Sequence, residues 1–183
     1  MDPAPDLERI ARSAAAFASP GERVAGVLVA EPLDVGRIYL CAFETQDGRA
    51  WLALDAEGRP VADRDTVRQA VSLSALCELA EETAGGGDLP QLRARLAELR
   101  ETEAPPGIEE AEAAAAALAA TLQPEARPAT MDYLDRLGAA ARRLELALGS
   151  DSGSPFAAAL QQGLPAVEEL AADVERLYKG PLA

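Results

Sequence analysis

The chain has 183 residues, 49% of them apolar, and a formal net charge of −14, which suits one domain, or a small domain with a helical extension, built on a real core. That acidity argues against nucleic-acid backbones and anionic membranes as partners, because phosphate binding needs an excess of Lys and Arg on one face. The absence of histidine removes His-based triads, Cys–His pairs and His-containing metal sites.

In chain order, Leu7, Ile10, Ala11, Ala14 and Phe17 recur at helical spacing, and Ser19, Pro20 and Gly21 stop that helix. Three strands are expected next, over 23–30, 37–44 and 50–54. Gln46, Asp47 and Gly48 mark the second hairpin, since Asp-Gly tolerates positive φ. In the second strand Ile38, Leu40 and Ala42 alternate with Tyr39, Cys41 and Phe43. Both faces are apolar, so this strand belongs in the middle of the sheet. Trp51 reads as a core or half-buried anchor in the third strand, and Arg59, Pro60 and Val61 are placed to extend an edge strand.

A sheet this small needs a helix against it. The expected helix spans 65–84, is capped by Asp63 or Asp65, and carries Leu73, Leu76, Cys77, Leu79 and Ala80 on one arc with Val67 and Val71 nearly opposite. A helix apolar on two sides is expected between layers. Beyond Gly85, Gly86 and Gly87, Asp88 is expected to cap a helix over 88–103 in which Leu89, Leu92, Leu96 and Leu99 form a narrow seam. After a break at 104–107, residues 108–122 form an Ala-rich helix with Ala111, Ala115 and Ala119 on its small face. A loop follows over 123–129. Thr130 is expected to cap a helix with Leu134, Leu137, Ala141, Leu144 and Leu148 in heptad register. Ser154 and Pro155 open the last helical region, which Gly163, Leu164 and Pro165 either kink or divide, and Val167, Ala171, Val174 and Tyr178 continue the seam.

The pattern predicts an α+β fold: an N-terminal helix, a small three-stranded antiparallel meander, a central helix, then antiparallel helical hairpins. The expected organisation is an α+β domain over 1–104 and a helical hairpin region over 105–183 packed on it as one compact unit. The N-terminus is acidic and has no long apolar run, so no secretory signal is expected. The longest apolar tract, 113–120, falls short of the roughly 18 residues of a membrane span. Cys41 and Cys77 stand in no CxxC spacing and have no activating neighbour. Two buried structural thiols in a cytoplasmic protein are the expectation.

The chemistry left is carboxylate chemistry. Glu78, Glu81 and Glu82 share one helical face at i, i+3 and i+4, where they repel one another by roughly 0.2–0.5 kcal/mol per pair. They also crowd the negative end of the helix macrodipole. The cluster therefore needs a positive neighbour. A divalent cation such as Mg²⁺ is one, since hard ions take carboxylate oxygens and keep water for a phosphate substrate. Arg93 and Arg95 of the following helix, brought near by the Gly-rich turn, are the other, and the simpler, source.

The run Glu78-Leu79-Ala80-Glu81-Glu82 resembles the REUxEE core of the Nudix hydrolases and the ExxEE element of the all-helical MazG-type pyrophosphohydrolases. Either resemblance implies Mg²⁺-dependent nucleotide diphosphate chemistry. Against the Nudix pattern Cys77 stands for the arginine, Gln69 for the upstream glutamate and Asp63 for the leading glycine. Against the MazG type a strand meander precedes the helix, and Glu98 and Glu101 are the residues available for a second acidic element. The order helix, three-stranded meander, helix also looks like that of small acidic secretion-chaperone-type domains. The leading expectation is an acidic interaction or regulatory protein without catalytic residues, metal or cofactor, which engages a protein partner or a second copy through its helical seams. A Mg²⁺-dependent pyrophosphohydrolase using Glu78, Glu81 and Glu82 is the alternative.

Overall fold

A strand that is apolar on both faces cannot lie at a sheet edge without exposing one of them, and residues 38–45 take the central place their alternation requires. In the computed structural model, which describes residues 3–46, 48–85, 89–122, 128–149 and 153–183, β1 (Arg23–Ala30), β2 (Ile38–Thr45) and β3 (Gly48–Leu54) form an antiparallel sheet in the order β1-β2-β3. The first strand has the expected bounds. The second is displaced by one residue and the third begins two residues early, because Glu44 pairs with Arg49 and Thr45 with Gly48, so the ladder runs up to the turn. Gly48 takes the positive φ of 141° there; Asp47 lies outside the described residues. One irregularity, between Val24 and Gly26, bulges β1 at Ala25.

Helix α1 (Pro3–Ala15) covers one face of this sheet. Its Ile10 and Ala14 are buried with Tyr39, Cys41, Phe43, Leu52 and Leu54, and Val24, Val27 and Val29 of β1 pack at the margin. On the opposite face Ile38, Leu40 and Ala53 are also buried. Arg59–Val61 adds a single bridge to β3 between Leu54 and Pro60, not a strand. Pro60 has no N–H with which to continue a ladder.

Among the described residues five helices follow: α2 (Arg64–Gly85), α3 (Leu89–Thr102), α4 (Ile108–Thr121), α5 (Met131–Ala147) and α6 (Pro155–Arg176). The Asp63 carboxylate accepts the Thr66 N–H at 2.8 Å and so caps α2. Val67, Ala70, Val71, Leu73, Cys77 and Ala80 are buried along α2, while Glu78, Glu81 and Glu82 are exposed. The cap expected at Asp88 lies outside the described residues, as does most of the loop over 123–129.

By its contacts the chain divides into two compact units. One comprises Met1–Ala75, Ala126–Met131 and Pro165–Ala183, the other Leu76–Glu125 and Asp132–Leu164, so α2 and α6 each contribute to both. Residues 104 and 105 both belong to the second unit. Its core is Leu89, Leu96, Ile108, Ala111, Ala114, Ala115, Leu118, Ala140 and Leu144, with Leu92 and Leu99 partly buried against it. The leucine seam of α3 is therefore an internal seam, and the alanines of α4 let the helices approach closely. Between α3 and α4 the chain turns through Ala104, whose φ of 41° places a Cβ in the left-handed region that usually selects glycine. The Ala104 N–H closes the helix on the Leu99 carbonyl at 2.8 Å.

Along α5, Tyr133, Leu137, Ala140, Ala141 and Leu144 are buried. Leu148, the last residue of the expected seam, is half-exposed because the helix ends at Ala147. Glu145 of α5 accepts the Phe156 N–H at 2.7 Å and the Ser154 hydroxyl at 2.9 Å, which sets a carboxylate at the positive end of α6. Gly163 and Pro165 do not divide α6, which runs through Pro165 as one helix. Gly163 has a packing role instead. A Cβ there would meet the Leu79 Cδ2 at 2.2 Å, so a larger residue would oblige the Leu79 side chain to shift.

Candidate functional site

The three glutamates on α2 are exposed and do not converge. Among the described residues no group of three or more Asp, Glu or Cys side chains is gathered closely enough to hold a metal ion. What meets the cluster is the hydroxyl of Tyr133, a buried residue of α5, which donates to the Glu81 carboxylate. Glu98 and Glu101 are exposed on α3.

Among the described residues no ion pair joins Arg93 or Arg95 of α3 to Glu78, Glu81 or Glu82. The reason is helical phase. Arg93 lies on the α4 side of α3, lining a shallow groove of about 500 Å³ with Ala94, Ala97, Arg100 and Glu112. In that groove Arg100 pairs with Glu112 at 3.1 Å. Arg95 lies on the other flank of α3, along an open depression with Gln91, Glu98 and Thr102. Two residues of a helix separated by two positions point about 200° apart, so the pair cannot face one target together.

Cys41 and Cys77 are both buried. Burial among Tyr39, Phe43 and Leu52 pushes the Cys41 thiol up to about 12, which keeps it protonated at neutral pH.

The margins of the sheet hold the features that the helical pattern did not mark. On the outer edge of β3, Trp51 donates its N–H to the Leu177 carbonyl at 3.0 Å and its carbonyl accepts the Lys179 N–H at 2.8 Å. The chain's own segment 177–179 thus pairs in parallel with β3. The Tyr178 hydroxyl donates to the Val61 carbonyl at 2.7 Å and accepts the Ala53 N–H at 3.1 Å. Lys179, the single lysine of the chain, sits 4.6 Å from the centre of the Phe43 ring and pairs with Glu22. The hydrogen bond from Lys179, reinforced by the Ser19 N–H, holds the Glu22 carboxyl below its ordinary value of 4.5. Trp51 is half-buried beneath this segment, consistent with an anchor.

At the edge of β1 the pairing seen among the described residues lies at the C-terminal end. The Ala129 N–H reaches the Val29 carbonyl at 2.8 Å, and the Glu31 N–H reaches the Ala129 carbonyl at 2.9 Å. Among the described residues nothing pairs with the outer edge of Arg23–Leu28. The loop that leaves β1 is held in shape from several sides. Arg37 binds Glu31 through Nε at 2.7 Å and a terminal nitrogen at 2.6 Å, and Asp34 and Gly36 take positive φ values of 64° and 81°. Its apolar side chains nonetheless face solvent: Leu33 is 71% exposed and Val35 40%.

These margins escaped the sequence reading because a one-residue bridge has no period. The visible signal was composition: Leu33 and Val35 are two large apolar residues in a Pro- and Gly-bounded turn, where polar residues are the rule. Comparison of the chain with protein families, with characterised proteins and with solved structures yields no match.

Proposed function

We propose that this is a protein-interaction or regulatory module without chemistry of its own, which engages a protein partner through the loop between β1 and β2. The observation that carries this reading is the braced display of Leu33 and Val35. A loop fixed by the Arg37–Glu31 pair and by two left-handed residues has little conformational entropy left to lose on binding, and exposed apolar side chains on such a loop are suited to fill a partner's pocket. The net charge of −14 favours a partner with a basic surface over nucleic acid or an anionic membrane. The helical seams first expected to supply the contact surface are taken up inside the two units.

The test is site-resolved crosslinking in the native cell extract. A photoreactive residue at position 33 should join the protein to one defined partner, and the same residue at exposed position 57 should not. Leu33→Asp with Val35→Asp should abolish binding of that partner without altering the circular dichroism spectrum. Equal labelling from both positions, or partner binding unchanged in the double variant, overturns the reading. The Mg²⁺ alternative has the weaker support, because Glu81 is engaged by Tyr133 and the carboxylates do not converge. Titration of Mg²⁺ or Mn²⁺ should give the same background heat for the wild type and for Glu81→Gln. Saturable binding lost in that variant would instead favour the enzyme reading.

A further inference from the structure

All but one of the seventeen basic residues are arginine, and the one lysine, Lys179, lies in the segment that closes the outer edge of β3. Its ammonium pairs with the Glu22 carboxylate, stands 3.5 Å from the Ser19 hydroxyl and sits 4.6 Å from the centre of the Phe43 ring. The side chains of Lys179 and Glu22 are each only 15% exposed. An ion pair and a cation–π contact both need the positive charge, and neither survives its removal. One charge on one nitrogen therefore helps to fasten this segment to the sheet, alongside the Tyr178 hydroxyl and the two backbone bonds at Trp51.

We propose that Lys179 is an acylation site, at which a thioester acyl donor removes this charge and unfastens the edge of β3. The ammonium first gives a proton to solvent. The amine nitrogen then bonds to the thioester carbonyl carbon, the carbon–sulfur bond breaks, and the sulfur leaves as a thiolate that takes up a proton. The product is a neutral amide. Glu22 keeps the Ser19 N–H at 2.7 Å but is left without its cation in a place with little water, and the acyl group needs room where the ammonium lay against Phe43. Because the chain has no other lysine, acylation of ε-amines has a single address and needs no reading of flanking sequence. The closed edge sets the timing. An amine on a side chain so little exposed meets a donor when the segment 177–183 lifts from the sheet, and the neutral amide then opposes its return. Acylation thus shifts the population toward the open edge, with the Trp51 N–H and carbonyl released.

Lys179 acts at the margin of β3, so this assignment stands or falls apart from the loop-mediated contact at Leu33 and Val35. Treating the full chain with a small acetyl thioester, then locating the product by peptide mapping and mass spectrometry, tests it. Lys179 should be acetylated at least about tenfold more slowly in the folded chain than in urea. Tyr178→Phe, which weakens the edge without touching the amine, should speed the reaction in the folded chain. The acetylated protein should unfold at a lower temperature than the untreated one and show altered Trp51 fluorescence, and Lys179→Gln should share both changes. In Lys179→Arg, which offers no ε-amine, the same treatment should change neither. Three results overturn the proposal: equal rates in the folded and urea-unfolded chain; no product at Lys179 in the folded chain under conditions that acetylate the unfolded one fully; or an acetylated protein with the melting temperature and Trp51 fluorescence of the untreated one.

Discussion

The two edges of the sheet present the same backbone groups to different fates. The edge of β3 receives an intramolecular strand: Leu177 and Lys179 bind either side of Trp51, Tyr178 reaches across to Ala53 and Val61, and Ala183 continues to the Ala62 carbonyl at 2.8 Å. The edge of β1 receives one residue, Ala129, and is otherwise open among the described residues. The difference lies in side chains. The C-terminal segment brings an aromatic ring with a polar tip and a lysine that finds both Phe43 and Glu22, so each residue adds a specific contact to its backbone bond. Ala129 adds a methyl group. An edge is stably closed when the incoming strand has side-chain business with the sheet, and backbone bonds alone, each worth about 1 kcal/mol net, do not extend it.

The largest expected effect comes from making the two edges alike. Removing residues 177–183 strips β3 of its paired strand and leaves the margin of the cluster around Phe43 and Leu52 uncovered. Loss of at least ~3 kcal/mol is expected, enough to weaken or abolish cooperative unfolding of a marginally stable chain. Denaturant unfolding followed by tryptophan fluorescence reads it directly, since Trp51 is the only tryptophan. A transition unchanged by the deletion would show that the C-terminal strand merely rests on the sheet.

Tyr178→Phe separates the polar contribution from the packing. The ring stays, while the Ala53 N–H and the Val61 carbonyl lose their partner in a partly buried place. The expected loss is about 1–3 kcal/mol by the same measurement. An effect below ~0.5 kcal/mol would mean that water replaces the hydroxyl and that the edge is wetter than its burial indicates.

How far these features could be read beforehand follows from their range in sequence. The strand bounds at 23–30, the central place of β2, the cap at Asp63 and the start of α6 at Pro155 all depend on neighbours within a few residues, and the structure has them where the pattern puts them. Contacts of long range left no such trace. Tyr133 reaches Glu81 across 52 residues and Tyr178 reaches Ala53 across 125. Mutual repulsion and the helix dipole mark an acidic face in need of a partner, but the partner found for Glu81 is a tyrosine hydroxyl, which no charge count could single out. Gly163 shows the converse: the residue signals a break, yet its missing side chain serves the approach of Leu79 and the helix continues.

Acid should affect the closed edge and spare the open one. Lys179 and the Ser19 N–H hold the Glu22 carboxyl below its usual 4.5, so the folded state binds this proton less readily than the unfolded chain does. A depressed carboxyl contributes stability that is complete above its unfolded value and is lost as pH falls through the folded one. The contribution should therefore disappear below pH 4.5. In Lys179→Met this part of the decline should be missing, so the two stability curves converge at low pH and separate above 4.5. Parallel curves across the range would assign the acid sensitivity to other carboxylates.

The smallest effect is expected at β1, and its smallness is informative. Leu28 is half-exposed on the face away from α1, so replacing it with arginine removes little buried area, and the arginine stem can lie along the strand while its head stays in water. Thermal unfolding at low concentration should change by no more than about 0.5 kcal/mol in stability, the range of ordinary surface substitutions. If Leu28→Arg instead lowered stability by clearly more than that, the leucine would be packing within its own chain. The edge of β1 would then be closed in the same manner as the edge of β3, and the contrast between them would vanish.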